Sequence, residues 1–156
     1  MATKRADSGM KCIEIMRHPK VKVHDRGTGK SAVLLNGQRE RVRRIRMDGC
    51  LSPIGELSAD FLVSLHRKVD VIVELKGSNV DHAVLQVEAT RRFWESHAEN
   101  VQRQLVSAWI LCSEYPAGST KVSGYRNAFR KRGAILVIST HNGEERAISE
   151  FLPKRP

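Results

Sequence analysis

The 156-residue chain is expected to fold as an α/β (α+β) domain: a mixed β-sheet flanked by helices, with a β-hairpin region near its N-terminus. Three observations predict this. Short runs rich in β-branched and apolar residues, separated by turn signals, fill the stretch from 21 to 76. Beyond residue 80, two stretches of helical periodicity alternate with nearly continuous apolar runs. Hydrophobic residues make up 40% of the chain, enough for a single core.

Residues 1–10 are polar and expected to be disordered, leaving 11–156 as one domain. Cys12, Ile13, Ile15 and Met16 suit either a short strand or one helical turn. Asp25-Arg26-Gly27 reads as a turn between a strand at 21–23 and another at 32–35. Gly27-Thr28-Gly29-Lys30-Ser31 invites a phosphate-loop reading, but His24 stands where that pattern needs its first glycine. Asn36-Gly37 is a hairpin signal leading into a strand at 42–47.

Residues 59–65 and 69–76 read as two strands joined by the polar link His66-Arg67-Lys68. Centring the turn on Arg67 pairs Leu62 with Ile72, and Asp60 with Glu74. Directly paired side chains lie about 5 Å apart on one face. Alternation then places Lys76 on the face of Glu74 while Val73 and Leu75 point into the core. Two carboxylates that close repel unless a cation lies between them, and Mg²⁺, with its oxygen ligands, is the expected one. A Glu-x-Lys alone arises often by chance, and a solvated ion-pair cluster would explain it equally well.

Residues 80–95 follow as an amphipathic helix, with Val80, Ala83, Val84, Val87 and Trp94 on one stripe and Asn79, His82, Gln86 and Thr90 on another. Residues 105–112 read as a buried central strand, broken by 115–118. Ser119 or Thr120 caps a basic helix reaching about Arg132, with Val122, Tyr125 and Phe129 as its core stripe and Gly133 as its stop. Another buried strand is expected at 134–139 and a short helix at 144–151.

Asp60, then Val73-Glu74-Leu75-Lys76-Gly77, then a helix carrying Gln86, resembles the PD-(D/E)XK nuclease superfamily, in particular its Holliday-junction-resolvase-like branch. The resemblance covers roughly residues 45–140 and implies a restriction endonuclease-like core. It implies that Asp60, Glu74, Lys76 and Gln86 are catalytic, and that Asp60, Glu74 and the Leu75 carbonyl bind Mg²⁺, with Mn²⁺ able to substitute. It also implies a homodimer, because two cuts need two sites. The family's leading glutamate has no clear counterpart: Glu40, Asp48 and Glu56 are candidates, and Asp48, at the end of an adjacent strand, is preferred as a third metal ligand.

Charge points the same way. The chain carries 27 Lys and Arg against 17 Asp and Glu, net +10, which favours a polyanionic partner. Aromatic residues are only 5%, so tracking the backbone of duplex or branched DNA fits better than base stacking. Arg41, Arg43, Arg44 and Arg46 on one strand, and Lys121, Arg126 and Arg130 on the basic helix, are the expected phosphate contacts. The three cysteines lack a CxxC and are expected to be free thiols in a reducing cytoplasm. No membrane-crossing run and no secretory signal are evident.

The sequence thus leads to a metal-dependent DNA endonuclease. The alternative is a catalytically inactive nucleic-acid-binding or regulatory protein on the same fold, and a third reading is a basic subunit of a larger assembly.

Overall fold

A computed structural model describes residues 11–76, 79–114 and 120–153. The disordered N-terminus, Gly77, the 115–118 break and the Ser119 cap, all expected from sequence, lie outside the described residues.

The architecture is a three-layer α+β arrangement. Its centre is a six-stranded mixed sheet in the order β1-β4-β5-β6-β7-β8. These strands are β1 (Ile13–Met16), β4 (Val42–Arg46), β5 (Phe61–Leu65), β6 (Val69–Leu75), β7 (Val106–Leu111) and β8 (Leu136–Ser139). The pairs β1–β4, β4–β5 and β5–β6 are antiparallel, whereas β6–β7 and β7–β8 are parallel. Parallel neighbours need a crossover, and helices α1 (Val80–Glu95) and α2 (Thr120–Lys131) supply the two. Both helices pack on the same face, where Val84, Val87, Trp94, Val122 and Phe129 meet Ile45, Leu62, Ile72 and Ile110.

The opposite face is covered by a second sheet rather than by helices. It contains β2 (Lys20–His24), β3 (Ser31–Leu35) and β9 (Glu145–Ala147), ordered β2-β3-β9. Val21, Val23, Ala32 and Leu34 pack there against Val63, Val73, Leu75 and Trp109. Every residue of β5, β6 and β7 is therefore buried.

Several local expectations hold. Residues 25–30 form a turn, in which Asp25 Oδ1 accepts from Gly27 N (3.2 Å) and Oδ2 accepts from Thr28 N (3.1 Å) and Thr28 Oγ1 (2.8 Å). Asn79, expected on the helix's polar stripe, instead stands just before α1 and caps it, its side chain accepting from His82 N (3.0 Å). Gly133, at φ 76°, stops α2; its N–H bonds to the Arg130 carbonyl, and that of Ala134 to the Phe129 carbonyl.

Three expectations are corrected. Asn36-Gly37 does not make a hairpin: β3 pairs with β2 and β9, and β4 with β1 and β5. The buried Asn36 instead pins the crossing between sheets, donating to Glu40 O (2.8 Å) and accepting from Glu40 N (3.0 Å). The short helix expected at 144–151 is strand β9 followed by one 3-10 turn, because Glu145, Arg146 and Ala147 find edge partners on β3. Cys12 and Cys50 are not free thiols but form a disulfide with Cα atoms 5.7 Å apart, joining the start of β1 to the turn after β4. Only Cys112 remains a free, buried thiol. Disulfides persist mainly in oxidising surroundings, so the bridge removes the ground on which a reducing compartment was expected. Among the described residues no helix is long and apolar enough to cross a membrane.

Candidate active site

The β5–β6 hairpin takes the expected register. Leu62 lies opposite Ile72 and Phe61 opposite Val73, so Asp60, one residue before β5, meets Glu74 near the end of β6. Arg67, at φ 60°, occupies the tight link, and Lys68 N closes it onto Leu65 O (3.1 Å). At the open end, Asp60 N donates to Glu74 Oε1 (3.2 Å) and Leu75 N donates to Asp60 Oδ2 (2.9 Å). Leu75, whose carbonyl is an expected metal ligand, is the last residue of β6.

The surroundings of the pair differ from the open patch that strand alternation suggests. Glu74 follows Ile72 onto the helix-covered face and is 1% exposed. Alternation fixes which face a side chain takes, but it does not say that a helix will cover that face. Burial, the hydrogen bond with Asp60 and the charge of Asp60 push the Glu74 carboxyl up to about 10, against the pull of the Lys76 ammonium and the Asp60 N–H. Asp60 is also raised, first by burial. The nearby charges of Asp25 and Asp48 add to that rise, and the bonds from Glu74 and Leu75 N oppose it. Both carboxyls therefore favour the protonated form more than an isolated acid does, each through burial first. Glu74 Oε2 is buried with no hydrogen-bond partner among the described residues.

The backbone leading into Asp60 is clamped from two sides. From α1, Gln86 Nε2 donates to Ser58 O (3.1 Å) and Thr90 Oγ1 accepts from Ala59 N (2.7 Å). From the turn Met47–Leu51, Met47 N donates to Asp60 O (2.9 Å) and Asp48 N to Ala59 O (3.1 Å). Ser58 Oγ also reaches Ser52 Oγ (2.7 Å), extending a buried hydroxyl network. Sequence placed Gln86 and Thr90 on a polar helix stripe; the structure turns that stripe toward residues 58–59. Gln86 Oε1, like Glu74 Oε2, is buried without a partner among the described residues.

A cleft of about 170 Å³ opens beside Asp60, lined also by Asp25, Asp48, His24, Arg26 and Arg46. Asp48 therefore stands near the pair, as preferred from sequence, but it is exposed. Among the described residues, no three His, Cys, Asp or Glu side chains gather into a group able to hold a metal ion. Asp25 was not anticipated. It arrives from the second sheet, and no local pattern in the chain signals that its turn packs over Asp60. Hydrogen bonds from Thr28 and Gly27 outweigh its partial burial and hold its carboxyl below the usual range. Lys76 is half-buried just past β6, its N–H bonded to Leu111 O (2.8 Å).

The expected phosphate-binding residues separate. Arg41 and Arg43 lie toward the hairpin-turn end of β4, beside Ser64 and His66, far along the strand from Asp60. Arg43 is occupied there, donating to Glu99 O (3.1 Å) and lying 5.6 Å from the Trp94 ring centroid. Arg44 pairs with Glu14 (2.9 Å), while Arg46 reaches the Asp60 cleft. Lys121, Arg126 and Arg130 sit on α2, in the helix layer.

Comparison with known proteins finds no family model, no curated protein and no solved structure that matches the chain.

Proposed function

We propose that this chain is a metal-dependent endonuclease of the PD-(D/E)XK type that hydrolyses phosphodiester bonds in DNA. One observation carries the reading: paired strand ends press Asp60 and Glu74 together, with a buried Glu74 oxygen that has no partner among the described residues and Lys76 two residues on. Strand order supports it, since antiparallel strands followed by helix, parallel strand, helix and parallel strand is the arrangement the resemblance implies.

The donor set fits a hard divalent cation. Two adjacent carboxyls that both resist ionisation are what Mg²⁺ or Mn²⁺ would bind, with the Leu75 carbonyl and water as further donors; Asp48, exposed at the cleft, does not gather with them into a three-acid group among the described residues. Such an ion supplies charge to the scissile phosphate and lowers the pKa of water. Lys76 orients the attacking water or offsets charge developing on the phosphate. Gln86 and Thr90 act through Ser58 and Ala59, fixing where Asp60 sits. Two such sites in a homodimer would cut both strands. Work on DNA in the cytoplasm would require the Cys12–Cys50 bridge to survive a reducing thiol pool.

Supercoiled plasmid with purified protein tests the reading. Nicking that needs Mg²⁺ or Mn²⁺, stops with chelator and is lost in both Glu74→Gln and Lys76→Ala supports it. The depth of Glu74 favours one competitor, a DNA-binding or regulatory protein on this fold. A gel shift without cleavage in either metal would establish that competitor instead.

A further inference from the structure

The gap between the two sheets opens, at the Asp60 end, into a groove of about 530 Å³. Lys22, His24 and Arg26 line it from β2 and its turn; Lys11, Arg44 and Arg46 line it from β1, its approach and β4. Cys12, Cys50 and Phe61 complete the wall, and Glu14 is the acidic lining residue. Glu14 is taken by Arg44 at 2.9 Å. Among the described residues, Lys11, Lys22, Arg26 and Arg46 form no ion pair.

Several arginines elsewhere in the chain do have acidic partners. Arg91 holds Glu88 and Glu95, Arg146 holds Glu144 and Glu150, and Arg43 reaches Glu99. Four exposed, unmatched cations lining one concavity concentrate positive potential there, which favours an anionic visitor. The groove is open and polar, unlike the enclosed apolar pocket that buries a free nucleotide. It is also continuous with the acidic cleft: His24, Arg26, Arg46 and Phe61 line both.

We propose that this groove holds the sugar-phosphate backbone of a nucleic-acid strand and leads it to Asp60. The binding face is then the seam between the two sheets, with Lys11, Lys22, His24 and Arg26 as phosphate contacts and α2 outside it. The proposal rests on the nuclease reading for the meaning of Asp60, but its test needs no cleavage.

Fluorescence anisotropy of labelled single- and double-stranded oligonucleotides, in EDTA and over a salt series, decides it. The exposed pair Lys22→Glu/Arg26→Glu is compared with Lys121→Glu/Arg130→Glu on α2, each checked by thermal melting. The groove pair is expected to lose at least about tenfold in affinity. Its log–log salt slope should flatten by about 1.4–1.8, from about 0.7–0.9 per phosphate contact for two contacts. The α2 pair should stay within about twofold of wild type. Inorganic phosphate and mononucleotides should compete only at concentrations far above the oligonucleotide; tight competition would make the groove a small-anion site and overturn the proposal. An unchanged groove variant, an equal loss in the α2 variant, or no binding by wild type at low salt would also overturn it. Cleavage that ignores the groove pair sinks this proposal alone, whereas groove-dependent binding without any cleavage sinks the nuclease reading alone.

Discussion

Asp70 and Glu74 sit on the same strand, on the same face, each 1% exposed, and both carboxyls are raised above their ordinary range chiefly by burial. Their surroundings otherwise differ completely. Asp70 Oδ2 accepts from Trp94 Nε1 (2.7 Å) and Oδ1 from Gln104 Nε2 (2.7 Å), so both oxygens are satisfied. Glu74 faces a second acid, and its Oε2 has no hydrogen-bond partner among the described residues. A satisfied buried carboxylate is a structural device, tying β6 to α1 and to the segment before β7. A pair of acids with an unused oxygen costs stability and is worth keeping only if something else binds there. The contrast between the two ends of one strand separates architecture from function here.

The largest effects should come from replacing each acid in turn, with opposite consequences. Glu74→Gln removes a buried acid but keeps its shape. Metal-dependent plasmid cleavage is expected to fall by about 10²–10³-fold, the scale for losing one group that acts on transition-state charge, while the metal-free melting temperature holds or rises. Asp70→Ala strands the Trp94 N–H and the Gln104 amide in the core. It should cost about 3 kcal/mol in urea denaturation and leave the cleavage rate per folded molecule near wild type. If Asp70→Ala spared stability, or Glu74→Gln unfolded the chain, the division of labour would be reversed.

A medium effect is expected from pH. The Glu74 carboxyl is raised from 4.5 to about 10 on folding, so between those values the native chain binds the proton more tightly than the unfolded one. Its stabilising share is fully present below about pH 4.5 and is lost as pH rises toward 10, with a limiting slope of about 1.4 kcal/mol per pH unit for one proton. Asp70 and Asp60 shift in the same direction and add to the trend. Melts from pH 5 to 10 in EDTA should therefore fall, and Glu74→Gln should flatten the curve. Excess Mn²⁺ should flatten it too, because it takes the place of the proton. A curve equally steep in the variant would locate the titration elsewhere.

The hairpin at this site was legible in the sequence because its determinants are local: a three-residue link, two apolar runs and one register that pairs Leu62 with Ile72. The helix–strand order after it was legible for the same reason. What escaped depends on distant partners. Asn36-Gly37 carries a local hairpin signal, yet β3 finds β9 more than a hundred residues away, and that pairing decides the second sheet. Once the second sheet covers one face of the hairpin and α1 the other, alternation no longer separates core from solvent, and Glu74 lies deeper than its polarity suggests. Asp25 and the Cys12–Cys50 bridge escaped because both depend on how the sheets and turns pack. Asp70 had a readable signal, a lone acid inside an apolar run, but its partners Trp94 and Gln104 are known only from the fold.

The smallest effects test whether Gln86 belongs to the architecture or to the site. Gln86 and Thr90 clamp adjacent residues, Ser58 and Ala59, from adjacent turns of α1. Thr90→Val leaves the Ala59 N–H without its acceptor and should cost about 1–2 kcal/mol, with cleavage falling because Asp60 is less firmly held. Gln86→Leu removes the bond to Ser58 O but also removes a buried oxygen that has no partner, so the two changes offset and stability should move by less than about 1 kcal/mol. If Gln86 is a positioning residue alone, its variant should lose no more activity than Thr90→Val, and the loss should appear in kcat without a change in the salt dependence of DNA binding. A larger loss of cleavage from Gln86→Leu than from Thr90→Val, at smaller cost in stability, would mean that the unused Oε1 meets water or phosphate during the reaction. Gln86 would then stand with Glu74, as a group whose missing partner arrives with the substrate, rather than with Asp70, whose partners are already in place.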